Sequence, residues 1–322
     1  MINLNKINKT IKTIKLNKLN KILFIILFSI VIGILLYILF FKQNNKNTVQ
    51  KFNNILSSAA DFDANIETIK NPYIKIDTSE NTSENKSIDI IWLKQDSEFM
   101  KNNFPSTFDF DYDIKDDIIA KALTLPSNYC IIDCGAHIGD GSVAIAHALK
   151  YNNREDIIVY AIDPSKYKCD FIEFIKQKNN LNNLIVLNYG LSNVNNNYKS
   201  LQQSGNNTGA WNWVINENNN DNNNDNNDIE NKDIINKFIK LDDLVKDNII
   251  KHNIGIIHFD IEGMEKEALE GGIDTITKYK PYMSIENNNI NNRENNNYFI
   301  QFLPEGYKFA YNKNENNILI AD

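Results

Sequence analysis

"YCIIDCGAHIGDGSVAIAHALK", residues 129–150, is the stretch that decides the fold. A short apolar run ends in Asp133 and Cys134, glycines follow at 135, 139 and 141, and small apolar residues then recur at helical spacing through Leu149. Apolar runs of four to eight residues bounded by turn residues read as buried strands, and a 3.6-residue period reads as a helix. The stretch is therefore strand, glycine turn, helix, the opening of a βαβ unit.

The same rhythm continues downstream. "DIIVYAID" (156–163) is the next strand, and Tyr167, Phe171, Phe174 and Ile175 in "SKYKCDFIEFIKQKNN" are placed on one helical face. "NLIVLNYG" (183–190), "LDDLVKDNII" (241–250), "IGIIHFD" (254–260) and "KPYMSIE" (280–286) read as strand, helix, strand and strand, with a helix closed by Gly271 and Gly272 before the last. "YKFAYN" and "NILIAD", separated by "KNEN", read as a terminal hairpin. The fold class expected is α/β, a doubly wound and mostly parallel sheet with a C-terminal antiparallel hairpin.

Upstream, "ILFIILFSIVIGILLYILFF" (22–41) carries no charge, and six lysines precede it with no acid. Twenty apolar residues at about 1.5 Å each span roughly 30 Å, a bilayer's hydrocarbon core. The expectation is a basic cytoplasmic tail at 1–21, a transmembrane signal anchor at 22–41, a flexible polar stalk at 42–88, and a catalytic body at 89–322. That body would be lumenal, in a type II protein of the secretory pathway (endoplasmic reticulum or Golgi). N-x-S/T acceptors at Asn81, Asn85 and Asn206 fit that side of the membrane. "NENNNDNNNDNNDIENKD" (216–233) has too little apolar content to pack and reads as a disordered insertion. All 41 acids and all but 7 of the 34 bases lie beyond residue 42, so the body is acidic and unsuited to nucleic acid. Cys130 and Cys134, about 13 Å apart on one strand, cannot bridge and read as core residues.

In doubly wound sheets ligands sit beyond the carboxyl ends of the strands. Here those ends supply Asp133 with its glycine turn, Asp163, Asp260-Ile261-Glu262 and Glu286-Asn287. A glycine turn lets a ligand approach the backbone, and an acid closing the second strand suits a ribose diol. Both imply a nucleoside cofactor. The dinucleotide fingerprint G-x-G-x-x-G would need glycine where His137 stands, which weakens the alternative of an NAD-dependent oxidoreductase. The D-x-G-x-x-x-G spacing begins with a carboxylate, which suits the ammonium group of S-adenosylmethionine and would repel a pyrophosphate.

"IIDCGAHIGDGS", "VYAIDPS", "VLNYGLSN", "IKLDDLV", "HFDIEGMEKEALEGG" and "KPYMSIE", in that order over about 200 residues, resemble the FkbM-type family of S-adenosylmethionine-dependent methyltransferases. The most specific piece is "DIEGME" (260–265), the family's D-x-E-G-x-E signature. The resemblance implies a class I methyltransferase fold and methyl transfer to a hydroxyl of a sugar, glycan or related metabolite. It implies that Asp133, Gly135, His137 and Gly139 cradle the methionine end, that Asp163 holds the ribose, and that Gly190 and Leu191 pass near the adenine. His137 departs from the family's usual Asn, His258 stands where Lys is common, and Asn288 stands where His is frequent.

Of the acids at 260–270, Asp260 ends its strand in the crevice and is the candidate general base. Glu262 is assigned to the first turn of the following helix, where its charge would be favoured, with a catalytic role as the alternative. Glu265, Glu267 and Glu270 are assigned to a solvated helix face. Mg²⁺ bridged by Asp260, Glu286 and Asn287 is a less favoured possibility, and a catalytically silent membrane-tethered binding module is the non-enzyme alternative.

Overall fold

The computed structural model describes residues 62–63, 65–70, 89–94, 113–201, 212–215, 235–287, 297–313 and 315–322. All but the first pair belong to one compact unit, residues 64–322. The 22–41 segment and the 216–233 insertion lie outside the described residues, as do all three glycosylation acceptors. Among the described residues no helix is long and apolar enough to cross a membrane.

Seven strands form the central sheet: β3 (Tyr129–Cys134), β4 (Ile158–Ile162), β5 (Leu184–Leu187), β10 (Asn253–Phe259), β11 (Tyr282–Glu286), β12 (Tyr307–Lys313) and β13 (Asn316–Ala321). Their order is β12-β13-β11-β10-β3-β4-β5. The pairs from β11 through β5 are parallel, whereas β13 is antiparallel to both β11 and β12. This is the doubly wound sheet with a terminal hairpin that the alternation of apolar runs implied.

Register divides the sheet by face. Ile162, Cys134, Phe259 and Ile285 align in one row. All four are buried in the core with Leu241, Leu244, Leu269 and Ile276 of α4 (Leu241–Lys246), α5 (Glu265–Glu270) and α6 (Ile273–Tyr279). One residue back, Asp133, His258 and Ser284 align in the next row. Because successive side chains on a strand point to opposite faces, this polar row lies on the other side. Ser142 of helix α2 (Asp140–Tyr151) donates to Asp133 in that row, and Lys115 of helix α1 (Asp113–Ala122) reaches Asp140 at the start of α2. Cys130 and Cys134 are free and buried.

Three elements depart from expectation. Residues 66–70, inside the expected stalk, form β1 (Ile66–Lys70), which pairs with β2 (Asp89–Leu93). A four-stranded sheet, ordered β6-β9-β7-β8, is built from β6 (Gly190–Leu191), β7 (Asn196–Leu201), β8 (Asn212–Ile215) and β9 (Ile235–Ile239). The "EALEGG" helix ends at Glu270 and is closed by Gly271 as expected, but a second helix, α6, follows it from Ile273. On α3 (Lys166–Lys178), Phe171, Ile172 and Ile175 are buried but Tyr167 is 41% exposed, because the buried stripe runs through Lys168 and Cys169 instead.

The β1–β2 pair meets the C-terminal end of α3 through a side-chain amide and an aromatic contact. Asn179 accepts a hydrogen bond from Ile91 N at 2.8 Å and donates to Ile91 O at 2.9 Å, and Trp92 stands edge-on to Phe171. Asn179→Ala removes both partners of a strand residue. We expect a loss of roughly 1–3 kcal/mol of stability, with selectively faster hydrogen exchange at Ile91 N–H; unchanged protection there would mean that the hairpin does not depend on this amide.

Candidate functional site

Parallel pairing brings the carboxyl ends of β3, β4, β10 and β11 to one edge of the sheet. The turn leaving β3 is stitched to its neighbours on both sides. Gly135 N and Ala136 N donate to Ile162 O at 2.9 and 3.0 Å, and Asp260 N donates to Cys134 O at 3.0 Å. A Cβ at Gly135, whose φ is +84°, would lie 1.7 Å from Asp260 O. Gly135 is thus required by contact between two strand ends, before any ligand enters. Gly139, at φ +85°, is enclosed in the same way by Ile172 of α3.

Between these glycines His137 takes a left-handed conformation, φ 51°, and donates its N–H to Asp163 Oδ2 at 3.0 Å. Asp163 Oδ1 accepts from Ser165 N at 2.8 Å. Asp163 therefore spans the β3 turn and the start of α3. Burial raises its carboxyl and the nearby Lys168 charge opposes that rise. Burial, helped by Lys168, drives the His137 imidazole down to about 3, so the ring is neutral at physiological pH. Asp133 is 4% exposed and accepts a hydrogen bond from the Ser142 hydroxyl. Burial raises this carboxyl too, against the opposing pull of His258. Lys115 of α1 reaches Asp140, the first residue of α2, at 2.6 Å.

At the other end of the site Asp260 and Glu286 are hydrogen-bonded to each other. Burial, the Glu286 charge and that hydrogen bond push Asp260 well above the carboxylate range, against the opposing pull of His258. Asn287 N donates to Glu315 O at 2.9 Å, which brings the β12–β13 turn alongside. Among the described residues no group of three or more His, Cys, Asp and Glu side chains is arranged to hold a metal ion. Of the set considered for Mg²⁺, two members bind each other.

Two acids are not where the sequence reading put them. Glu262 is not in a helical turn: the helix begins at Glu265, and Glu262 sits in the preceding loop at φ 54°. Burial raises its carboxyl, opposed by Lys168. Glu265 is not solvated but 7% exposed, and its Oε1 accepts from Ile261 N at 3.2 Å and Gly263 N at 3.1 Å. It is the clamp of the loop that carries Glu262. Gly190 and Leu191 lie in β6 against Phe238 and Ile239 of β9, with Leu191 in the core.

The Methyltransferase FkbM domain model matches residues 133–311, more than half of the chain. The chain belongs to the FkbM methyltransferase family. Among solved structures it is similar to a methyltransferase FkbM from Methylobacillus flagellatus, at 16% identity and a TM-score of 0.38. That match covers 62% of this chain and 45% of that one, so the chain spans less than half of its length. It is similar also to precorrin-6y C5,15-methyltransferase from Geobacter metallireducens (12% identity, 78% of this chain, 98% of that chain, TM-score 0.36). A third is the Pyrococcus abyssi tRNA (uracil-54, C5)-methyltransferase bound to S-adenosyl-L-homocysteine (11% identity, 73% and 42%, TM-score 0.32). No curated protein matches the chain.

Within the family's signature the three acids divide by environment: Asp260 pairs with Glu286, Glu262 sits in the loop, and Glu265 holds that loop's backbone. Missing from the sequence reading of the site were Lys115, Asp140, Ser142, Lys168 and Glu265. Glu265 carried a usable signal in D-x-E-G-x-E, and Asp140 and Ser142 carried one in "IIDCGAHIGDGS"; the lysines belong to no motif. Burial raises the Glu265 carboxyl to about 7, above the 4.5 of the free group. Its neutral form is therefore favoured by folding, and that stabilisation, complete below about 4.5, is lost as pH climbs through about 7. Glu265→Gln keeps the acceptor and cannot ionise. Its melting temperature relative to wild type should rise between pH 5 and pH 8.5; a constant difference would mean that Glu265 does not titrate on folding in this range.

Proposed function

We propose that this protein is an S-adenosylmethionine-dependent O-methyltransferase acting on a hydroxyl of a sugar, glycan or related metabolite. The observation that carries the proposal is the meeting, through Gly135 and Asp260 O, of a turn held by Asp163 with the hydrogen-bonded carboxyl pair Asp260 and Glu286. The residues fit the cofactor. Each Asp163 oxygen accepts one backbone N–H, which leaves lone pairs for a ribose diol. The open turn backbone suits the methionine end, and Gly190 and Leu191 would border the adenine. When bound, S-adenosylmethionine supplies a methyl group on a sulfonium. Asp260 and Glu286 would then serve the acceptor, Asp260 taking the proton of the attacking hydroxyl and Glu286 holding it in place through their hydrogen bond. Most of the rate would come from holding acceptor oxygen and methyl carbon close and in line.

Asp260→Asn is expected to leave S-adenosylhomocysteine affinity within a few fold while lowering turnover on the acceptor by about 10² or more. Equal losses in binding and turnover would instead make Asp260 part of the cofactor wall.

The proposal extends to location. The uncharged 22–41 segment, preceded by six lysines, supports a signal anchor with the catalytic body on the lumenal side. Such a body would depend on S-adenosylmethionine brought into that compartment. Residues 43–322 should then resist protease in intact microsomes and become sensitive when detergent is added; digestion without detergent would overturn the topology.

A further inference from the structure

At the amino end of the sheet, opposite the site, one buried hydroxyl joins three strands. Tyr160 of β4 is 1% exposed, and its oxygen lies 3.2 Å from Lys251 N and 2.9 Å from His252 Nδ1. Strand β3 runs between β4 and β10, and its Cys130 thiol donates to His252 O at 4.0 Å. Residues 251 and 252 lead directly into β10. Asn253 N donates to Asn128 O at 3.1 Å, and the pairing of β10 with β3 then shifts register between Ile254 and Ile256. The entry to β10 is therefore a short segment set off from the part of the strand that leads to Asp260.

These contacts dictate where the protons lie. The Lys251 N–H can only donate, so the Tyr160 oxygen accepts there, and the hydroxyl proton is left for His252 Nδ1. That nitrogen must accept, which makes His252 the neutral ring with its own proton on Nε2. A proton on Nδ1 would deprive the Tyr160 hydroxyl of its acceptor in a buried place, which is costly.

We propose that the Tyr160–His252 hydrogen bond is a pH-sensitive latch: closed while His252 is neutral and opened by its protonation, it holds the entry of β10 against β3 and β4. The groups that face the imidazole are Lys251 on its own loop, Tyr160 from β4 and Cys130 from β3. Burial, then the Lys251 charge, lowers the His252 imidazole. Burial raises the Tyr160 hydroxyl and the Cys130 thiol, so both stay protonated while the imidazole titrates. Folding thus favours the neutral ring; its stabilisation is complete above about 6.5, the value of the free group, and is lost as pH falls below it.

The test follows the four histidines of the full-length chain, labelled with ¹³C at Cε1, through a pH titration. His252→Gln identifies the His252 resonance by its loss. In wild type its midpoint should lie below 6.5, and Tyr160→Phe, which keeps the ring and removes the hydroxyl, should raise it. Hydrogen-exchange protection of the Lys251 N–H should fall at least about tenfold as pH drops through that midpoint. It should stay constant in His252→Gln, whose side-chain oxygen accepts the Tyr160 proton at every pH. A midpoint unmoved by Tyr160→Phe would mean that burial alone acts on the ring and would overturn the latch, as would the same pH dependence of protection in wild type and His252→Gln. If Tyr160→Phe does not fold, the comparison of protection between wild type and His252→Gln decides.

Discussion

One close contact holds the site together: the backbone of Gly135 against the carbonyl of Asp260, with no room for a single methyl group between them. Because the turn after β3 and the loop after β10 touch there, neither can move without the other. Each is also secured from behind by an acid that accepts two backbone N–H groups. Asp163 ties the β3 turn to the start of α3, and Glu265 ties the β10 loop to the start of α5. The region where a cofactor and an acceptor would meet is thus bounded by two clamped loops with a shared seam.

The cost of this arrangement is electrostatic. Asp133, Asp163, Glu265 and Glu286 are buried and Asp260 is half-buried, and loss of solvent raises every one of their carboxyls. Carboxylates are tolerated in such surroundings only when paired, hydrogen-bonded or protonated. Lys115 pairs with Asp140, backbone N–H groups serve Asp163 and Glu265, and Asp260 and Glu286 hydrogen-bond to each other.

Much of this was legible in the sequence, and the reasons for the rest are specific. The order of the parallel strands follows from apolar runs separated by helical periods, and the strand-end acids follow from side-chain alternation along "IIDC" and "IIHFD". Gly135 was recognised as necessary but for another reason: an approach to ligand was inferred where an approach of chain to chain is found, and local sequence cannot tell the two apart. Glu265 was assigned to solvent because a helix surface rich in Glu and Lys ordinarily lies there; the hydrogen bonds that bury it form only once the loop turns through Glu262 and Gly263, both at positive φ. Lys115 and β1 lie in polar surroundings without a motif, and their partners, Asp140 and β2, are 25 and about 20 residues away. Pairings over such distances are set by tertiary packing, not by pattern.

The central claim is that the edge formed by β3, β4, β10 and β11 holds the adenosyl cofactor with its sulfur directed toward the Asp260–Glu286 pair. A crystal structure of the full-length protein with S-adenosylhomocysteine tests it most directly. The account predicts ribose hydroxyls on Asp163, the amino-acid arm over residues 135–140, and the sulfur on the side of Asp260. A cofactor bound elsewhere, or seated on this edge with its sulfur turned away from Asp260, would contradict it.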